Sequence, residues 1–259
     1  MSAPLRGYTV CVVGRGRVGS TLAAALTDAG VPVVPDRSAD LVILAVPDDA
    51  LASVATRLDV HPGQVVAHTS GAHGVGILAP AVARGARPLA LHPAMTFTGG
   101  PEDLARLRKG IPFGVTAPPD VRPLAEDLVH LLGGTPEWIA DEHRTLYHAA
   151  LAHGANHLVT LVNEAVDRLR DAGVAQPERV LDPLLHAALD NALRLGDAAL
   201  TGPVSRGDAD TVAAHLAALA GAAPDSVPAY RALARRTADR AVAAGRLTAA
   251  AAAPIRELL

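Results

Sequence analysis

Short apolar runs alternate with longer amphipathic stretches through the first half of the chain. Thr9–Val13, Val31–Val34, Leu41–Ala45, Val65–His68, Pro88–His92, Pro112–Thr116 and Thr135–Ile139 read as strands. Helix-like segments fall between them: Ser20–Ala29, closed by Gly30, a stretch from about Asp48, one near Ile77–Ala83, and Pro119–Leu132. This rhythm predicts a mostly parallel sheet covered on both faces. After Asp141 the strand signals stop. A long helix is expected from Glu142 to Asp171, capped by Asp141, followed by helices over Glu178–Leu195, Ala209–Leu219, Pro228–Ala244 and Ala249–Leu258, with Asp208 and Thr248 as N-caps. The expected architecture is α/β: an N-terminal Rossmann-like parallel sheet over residues 1–140, then an all-α domain over residues 141–259.

One connection breaks the pattern. Only six residues separate Val34 from Leu41. A helical crossover between parallel strands needs about a dozen, and six extended residues reach roughly 20 Å at most. The chain therefore has to turn back without a helix. Leu41–Ala45 is then expected on the far side of the first strand, with the helix and outer strand of a standard unit missing and the sheet shortened after its second strand.

The first turn carries the strongest chemical signal. Gly14, Arg15, Gly16, Arg17, Val18 and Gly19 form GxGxxG between an apolar strand and a helix. The first glycine permits a tight turn, the second lets a pyrophosphate approach the backbone, and the third lets helix and strand pack closely. The helix N-terminus adds free N–H groups and a positive dipole end. Cofactor choice depends on Asp36-Arg37-Ser38, past the second strand. An acidic residue there suits the ribose hydroxyl of NAD, and an arginine suits the 2′-phosphate of NADP. Arg37 and Ser38, with Arg15 and Arg17 near, favour NADP(H), the plainer alternative being a solvated turn. Three further loops leave strand ends where an open α/β sheet forms its ligand crevice: Val46-Pro47-Asp48, His68 to Ser70-Gly71, and His92-Pro93. His68 or His92 could equally be core histidines bonded to backbone.

On the long helix, Thr145, Ala149, Ala152, Asn156, Thr160 and Asn163 share one face at 100° per residue, with His148 at its edge. A small, polar face suggests a cleft wall or a polar helix contact. His153 and His157 stand at i, i+4, but no carboxylate or cysteine motif completes a metal site. Ala199–Asp208 reads as a non-helical insert in which Thr201 and Arg206 could hold a substrate carboxylate.

Composition narrows the class. Half of the 259 residues are hydrophobic, net charge is −3 and aromatics make up 2%. That balance argues against a nucleic-acid or membrane surface. One cysteine, Cys11, allows no internal disulfide, and no signal segment or long apolar run is evident, so a cytoplasmic protein is expected.

These motifs resemble Rossmann-like proteins with a DUF2520 C-terminal domain, similar to the wider 6-phosphogluconate-dehydrogenase-like reductases. The resemblance is carried by Gly14–Gly19, Ala45–Asp48, Ser70-Gly71-Ala72, His92-Pro93, Tyr147–Ala150, Asn156, Leu200–Pro203 and Arg206-Gly207-Asp208. It implies an NADP-dependent reductase whose helical domain forms a homodimer; some relatives look like ketopantoate reductases. Related hydroxyacid dehydrogenases use a lysine on the first helix of the second domain. Lys109, the sole lysine, is far from that helix in sequence. With no lysine there, histidine is the best-matched proton donor near neutral pH. His148 is the first choice and His92 the second, with Asn156 orienting the carbonyl or the nicotinamide amide. Hydride transfer to a small 2-oxo acid is the expected chemistry. Imine reduction and a non-catalytic NADP(H) sensor are the alternatives.

Overall fold

The computed structural model describes residues 7–259 and divides into two compact units, one ending at Asn156 and one beginning at His157. The first unit is built on a six-stranded sheet in the order β1-β2-β3-β4-β5-β6. These strands are Val10–Val13, Leu41–Leu44, Val65–His68, Arg87–Pro93, Pro112–Thr116 and Thr135–Trp138. All neighbours are parallel except β4 and β5, which pair antiparallel with His92 opposite Gly114. The apolar strand runs are nearly unbroken because both faces are covered. Leu41, Ile43, Val65, Ala67, Leu89 and Leu91 face α1 (Arg17–Asp28) and α5 (Arg122–Leu131), meeting Leu22, Leu26 and Leu128. Val42, Leu44 and Val66 face the other way, toward Leu51 and Ala55 of α2 (Asp48–Arg57) and Leu78 and Ala81 around α3 (Ala79–Val82).

The short connection behaves as its length demands. Leu41 pairs with Val10, so β2 lies directly beside β1. The expected strand at Val31–Val34 is corrected: it contributes one parallel bridge, Val10 to Val33. Bonds from Val10 N–H to Pro32 O and from Val34 N–H to Val10 O, both 2.9 Å, hold it there. A helix the pattern did not predict, α4 (Glu102–Leu107), fills the link before β5 and buries Leu107.

The long helix is also corrected. A 3₁₀ turn at Asp141–His143 leads into α6 (Arg144–Leu151), a π turn comes next at Ala152–Asn156, and α7 (His157–Asp171) continues. Asp141 does not cap this helix; its Oδ1 accepts the N–H of Val75 at 2.6 Å. A π turn adds a residue to the winding and rotates the faces of the next helix by about 100°. The single small, polar face expected from Thr145 to Asn163 is therefore broken between Ala152 and Thr160. Strands end at Trp138 and every later element is helical.

The second unit contains α7, α8 (Pro177–Leu195), α9 (Gly202–Arg206), α10 (Ala209–Ala222), α11 (Val227–Ala243) and α12 (Ala249–Leu258). The segment expected as a non-helical insert holds α9, started at Thr201 and ended by Gly207 at φ +79°. Asp208 caps α10 by accepting Thr211 N–H at 3.1 Å, and Thr248 caps α12 by accepting Ala251 N–H at 3.2 Å. The core of this unit falls into two small clusters, Val204, Val212, Leu216, Ala234, Ala238 and Ile255 in one and Ala241, Leu247 and Ala252 in the other. Nothing on α7 is buried, while Val159 of α7 and Leu184 and Leu193 of α8 are 61%, 62% and 80% exposed. Among the described residues no helix is long and apolar enough to cross a membrane.

Candidate active site

The turn from β1 to α1 has the geometry its glycines require. Gly14 adopts φ +111°, and a Cβ there would stand 2.2 Å from the carbonyl oxygen of Ala45. A Cβ on Gly19 would stand 2.1 Å from the carbonyl oxygen of Gly14. These two positions hold α1 tightly against β1 and the end of β2. Gly16 is different: a Cβ there would meet nothing within 4 Å. It is the N-cap of α1, with no side chain bonded to the first-turn N–H groups. An open glycine before unclaimed helical N–H groups fits a pyrophosphate.

The cations around this turn differ in their freedom. Arg15 and Arg37 are exposed. Arg17 is also exposed, but its Nη1 donates to Phe97 O at 3.2 Å. Val18 is half-buried against the core below the turn. Ser38 donates from its N–H and its hydroxyl to the Asp36 carboxylate, at 2.9 and 2.7 Å. These bonds hold the Asp36 carboxyl below the usual carboxylate range. Gln64 fixes the same loop from beneath, its amide nitrogen donating to Arg37 O and Ala39 O, both at 2.7 Å. Val46 and Pro47 lie at the end of β2, where Pro47 precedes the first turn of α2.

The next two strand ends carry histidines with separate duties. His68 is buried, and both its ring nitrogens engage backbone: Nδ1 accepts Ser70 N–H at 3.2 Å, so Nε2–H donates to Gly74 O at 3.0 Å. Burial pulls its pKa down to about 4, which keeps the ring neutral. Ser70 is committed to the same loop: its Oγ accepts His73 N–H at 3.2 Å and its carbonyl accepts Arg144 Nη2 at 2.7 Å. His92, on β4, instead meets a side chain, Nδ1 lying 2.9 Å from Tyr147 Oη. Its ring stands edge-on to Tyr147 and to His148, with centroids 5.7 and 6.2 Å apart. His92 is also drawn down to about 4, chiefly by burial and then by the Arg144 charge.

His148, exposed on α6, lies over the same point. A Cβ on Gly71 would sit 2.7 Å from His148 Cδ2 and 3.0 Å from His92 Nε2. The glycine lets two imidazoles converge above the loop after β3. Asn156 is exposed at the last position of the π turn, a form of winding often found at functional sites. Thr201 and Arg206 lie in the second unit, where with Leu200, Ser205 and Arg246 they line a cavity of about 340 Å³.

Two residues of this site gave no usable signal in the sequence. Arg144 is 1% exposed, and its guanidinium donates to three carbonyls: His73 O at 3.1 Å, Gly114 O at 3.0 Å and Ser70 O at 2.7 Å. Its Cζ lies 5.5 Å from the ring centre of Tyr147. Tyr147 stood only within a short motif beside His148, with nothing to show that its hydroxyl reaches β4. An arginine at a helix start normally reads as a solvated charge.

Residues 111–237 match the family model "Domain of unknown function (DUF2520)", and residues 31–93 match that of the Rossmann-like domain. No curated protein sequence matches the chain. Among solved structures, the Bacteroides fragilis protein BF3122 is 20% identical, with TM-score 0.73 over 90% of this chain and 98% of its own. The reductive aminase from Aspergillus terreus, in complex with NADPH and ethyl-5-oxohexanoate, is 17% identical, with TM-score 0.66 over 92% and 95%. Plasmodium falciparum pyrroline carboxylate reductase with NADP bound is 13% identical, with TM-score 0.59 over 92% and 99%. At these identities the likeness is one of fold.

Proposed function

We propose that this protein, a Rossmann-like domain followed by a DUF2520 domain, is an NADPH-dependent reductase of a small 2-oxo acid, with ketopantoate as the first substrate to try. The observation that carries the reading is the contrast among the three glycines of the first turn. Gly14 and Gly19 are filled by the fold, and Gly16 is left open before the N–H groups of α1. Fold relatives with NADP or NADPH bound support the choice of cofactor. Arg37 and Arg15 supply exposed positive charge for a 2′-phosphate, and Asp36, tied to Ser38, is the one anion opposing them in that turn. The bound nucleotide would supply a hydride; the protein's part is to orient and protonate.

His148 is the proton donor in this reading. It is exposed above Gly71, beside His92, where a reduced carbonyl oxygen would need a proton within hydrogen-bond reach. Asn156 orients the carbonyl or the nicotinamide amide. All residues given roles here belong to the first unit. Titration with NADPH and NADH, followed by NADPH consumption with ketopantoate and other 2-oxo acids, tests the reading. Tighter NADH binding would remove the role given to Arg37.

The exposed apolar side chains of α7 and α8 support a homodimer, since soluble monomers rarely leave so many uncovered on one pair of helices. Light scattering of the purified protein reads the mass directly.

A further inference from the structure

We propose that Tyr147 is a positioning residue that fixes His92 with its single N–H on Nε2, above Gly71, as a hydrogen-bond donor to the oxygen of a carbonyl substrate rather than to an iminium. This inference rests on the reductase reading above and assigns that site its acceptor class.

The assignment comes from counting protons. The Tyr147 hydroxyl lies over Gly114, where a Cβ would stand 2.6 Å from it, and among the described residues its hydrogen-bond partner is His92 Nδ1, 2.9 Å away. A half-buried phenol places its proton on an acceptor, and this is the acceptor within reach. When Nδ1 accepts, a neutral imidazole carries its proton on Nε2. Nε2 is the atom that approaches Gly71, next to His148. The tyrosine is itself held from behind, with Arg144 beside its ring and three carbonyls anchoring Arg144.

The charged groups around His92 agree with a neutral ring. Arg144, His148 and His68 disfavour a second positive charge, and Asp48 opposes them without overcoming burial. A neutral N–H can stabilise growing negative charge without giving its proton away. As the carbonyl carbon accepts hydride, the C=O π pair moves onto oxygen. His92 Nε2–H bonds that oxygen, and the alkoxide takes its proton from His148, which is reprotonated from solvent. An iminium nitrogen has no lone pair for Nε2–H to meet, so the same donor gives it nothing.

The test uses the full chain with ¹⁵N-labelled histidine. Long-range ¹H–¹⁵N spectra at pH 7 report which nitrogen of each ring is protonated, and His92→Gln identifies the signals. The expected result is a bare Nδ1 and a protonated Nε2 on His92, giving way to a mixture of tautomers in Tyr147→Phe. A proton on Nδ1 in the unmodified protein, or an unchanged pattern in Tyr147→Phe, overturns the proposal. In NADPH oxidation, Tyr147→Phe should lower kcat on ketopantoate about 10- to 100-fold with NADPH affinity unchanged. Faster turnover of 1-pyrroline than of 2-oxo acids overturns the assigned acceptor class. Loss of the reductase reading would show separately, as failure to bind NADPH, and the spectra would still decide the role of Tyr147.

Discussion

Arg144 donates to the carbonyl oxygen of Ser70 across 2.7 Å, joining the first turn of α6 to the loop after β3. Two more carbonyls, of His73 and Gly114, depend on the same guanidinium. Arg144→Ala would leave two buried acceptors and one part-buried acceptor short of a donor, at a cost of about 3 kcal/mol. Arg144→Lys keeps the charge but cannot reproduce the planar fork, and should recover only part of that loss. Urea unfolding of the three proteins measures the difference; equal midpoints would show that the carbonyls find other partners.

The glycines of the first turn should separate by phenotype. Gly19→Ala forces a methyl onto the Gly14 carbonyl, so α1 must move off β1 and the melting temperature should fall. Gly16→Ala meets no protein atom and should melt like the unmodified protein. It should nonetheless weaken NADPH binding by about tenfold or more, because the methyl occupies the side from which the pyrophosphate approaches. Calorimetry on both variants distinguishes the two outcomes.

His148→Ala should lower kcat by about 10²- to 10⁴-fold, the usual contribution of a general acid, while NADPH still binds. Single-turnover kinetics with a responsive 2-oxo acid would read it. An unchanged kcat takes the role away from His148.

Acid should destabilise the first unit through two buried rings. His68 and His92 titrate near 4 in the folded protein and near 6.5 when unfolded. Below pH 6.5 the unfolded chain binds protons that the folded chain refuses. Stability is therefore complete above about pH 6.5 and drains as pH falls toward 4, by about 2 kcal/mol per histidine at pH 5. Urea unfolding at pH 7.5 and 5 should show this loss, and His92→Gln should remove roughly half of the histidine-dependent part.

Much of the sheet was legible because buried parallel strands are written as continuous apolar runs, and the six-residue link between Val34 and Leu41 forced β2 beside β1. The segment at Val31–Val34 has the same composition as a strand, yet it forms one bridge, because edge pairing needs length that the link denies it. The π turn left no trace in the periodicity, since a single added residue looks like ordinary scatter in a small, polar stretch. Gly14, Gly16 and Gly19 announced the tight strand-to-helix turn through their spacing. Arg144 and Tyr147 did not, because their partners are carbonyls and a ring brought together only by the closed sheet.

The carboxamide of Gln64, itself 1% exposed, holds the backbone on both sides of Ser38. The loop proposed to meet the nucleotide's ribose thus takes its shape from a residue at the foot of another strand. Substitutions at side chains 36–38 leave that clamp in place, but an insertion there would pull one carbonyl off it and strand an amide in the interior. Engineers of this protein can rewrite the letters of that loop; they cannot lengthen the word.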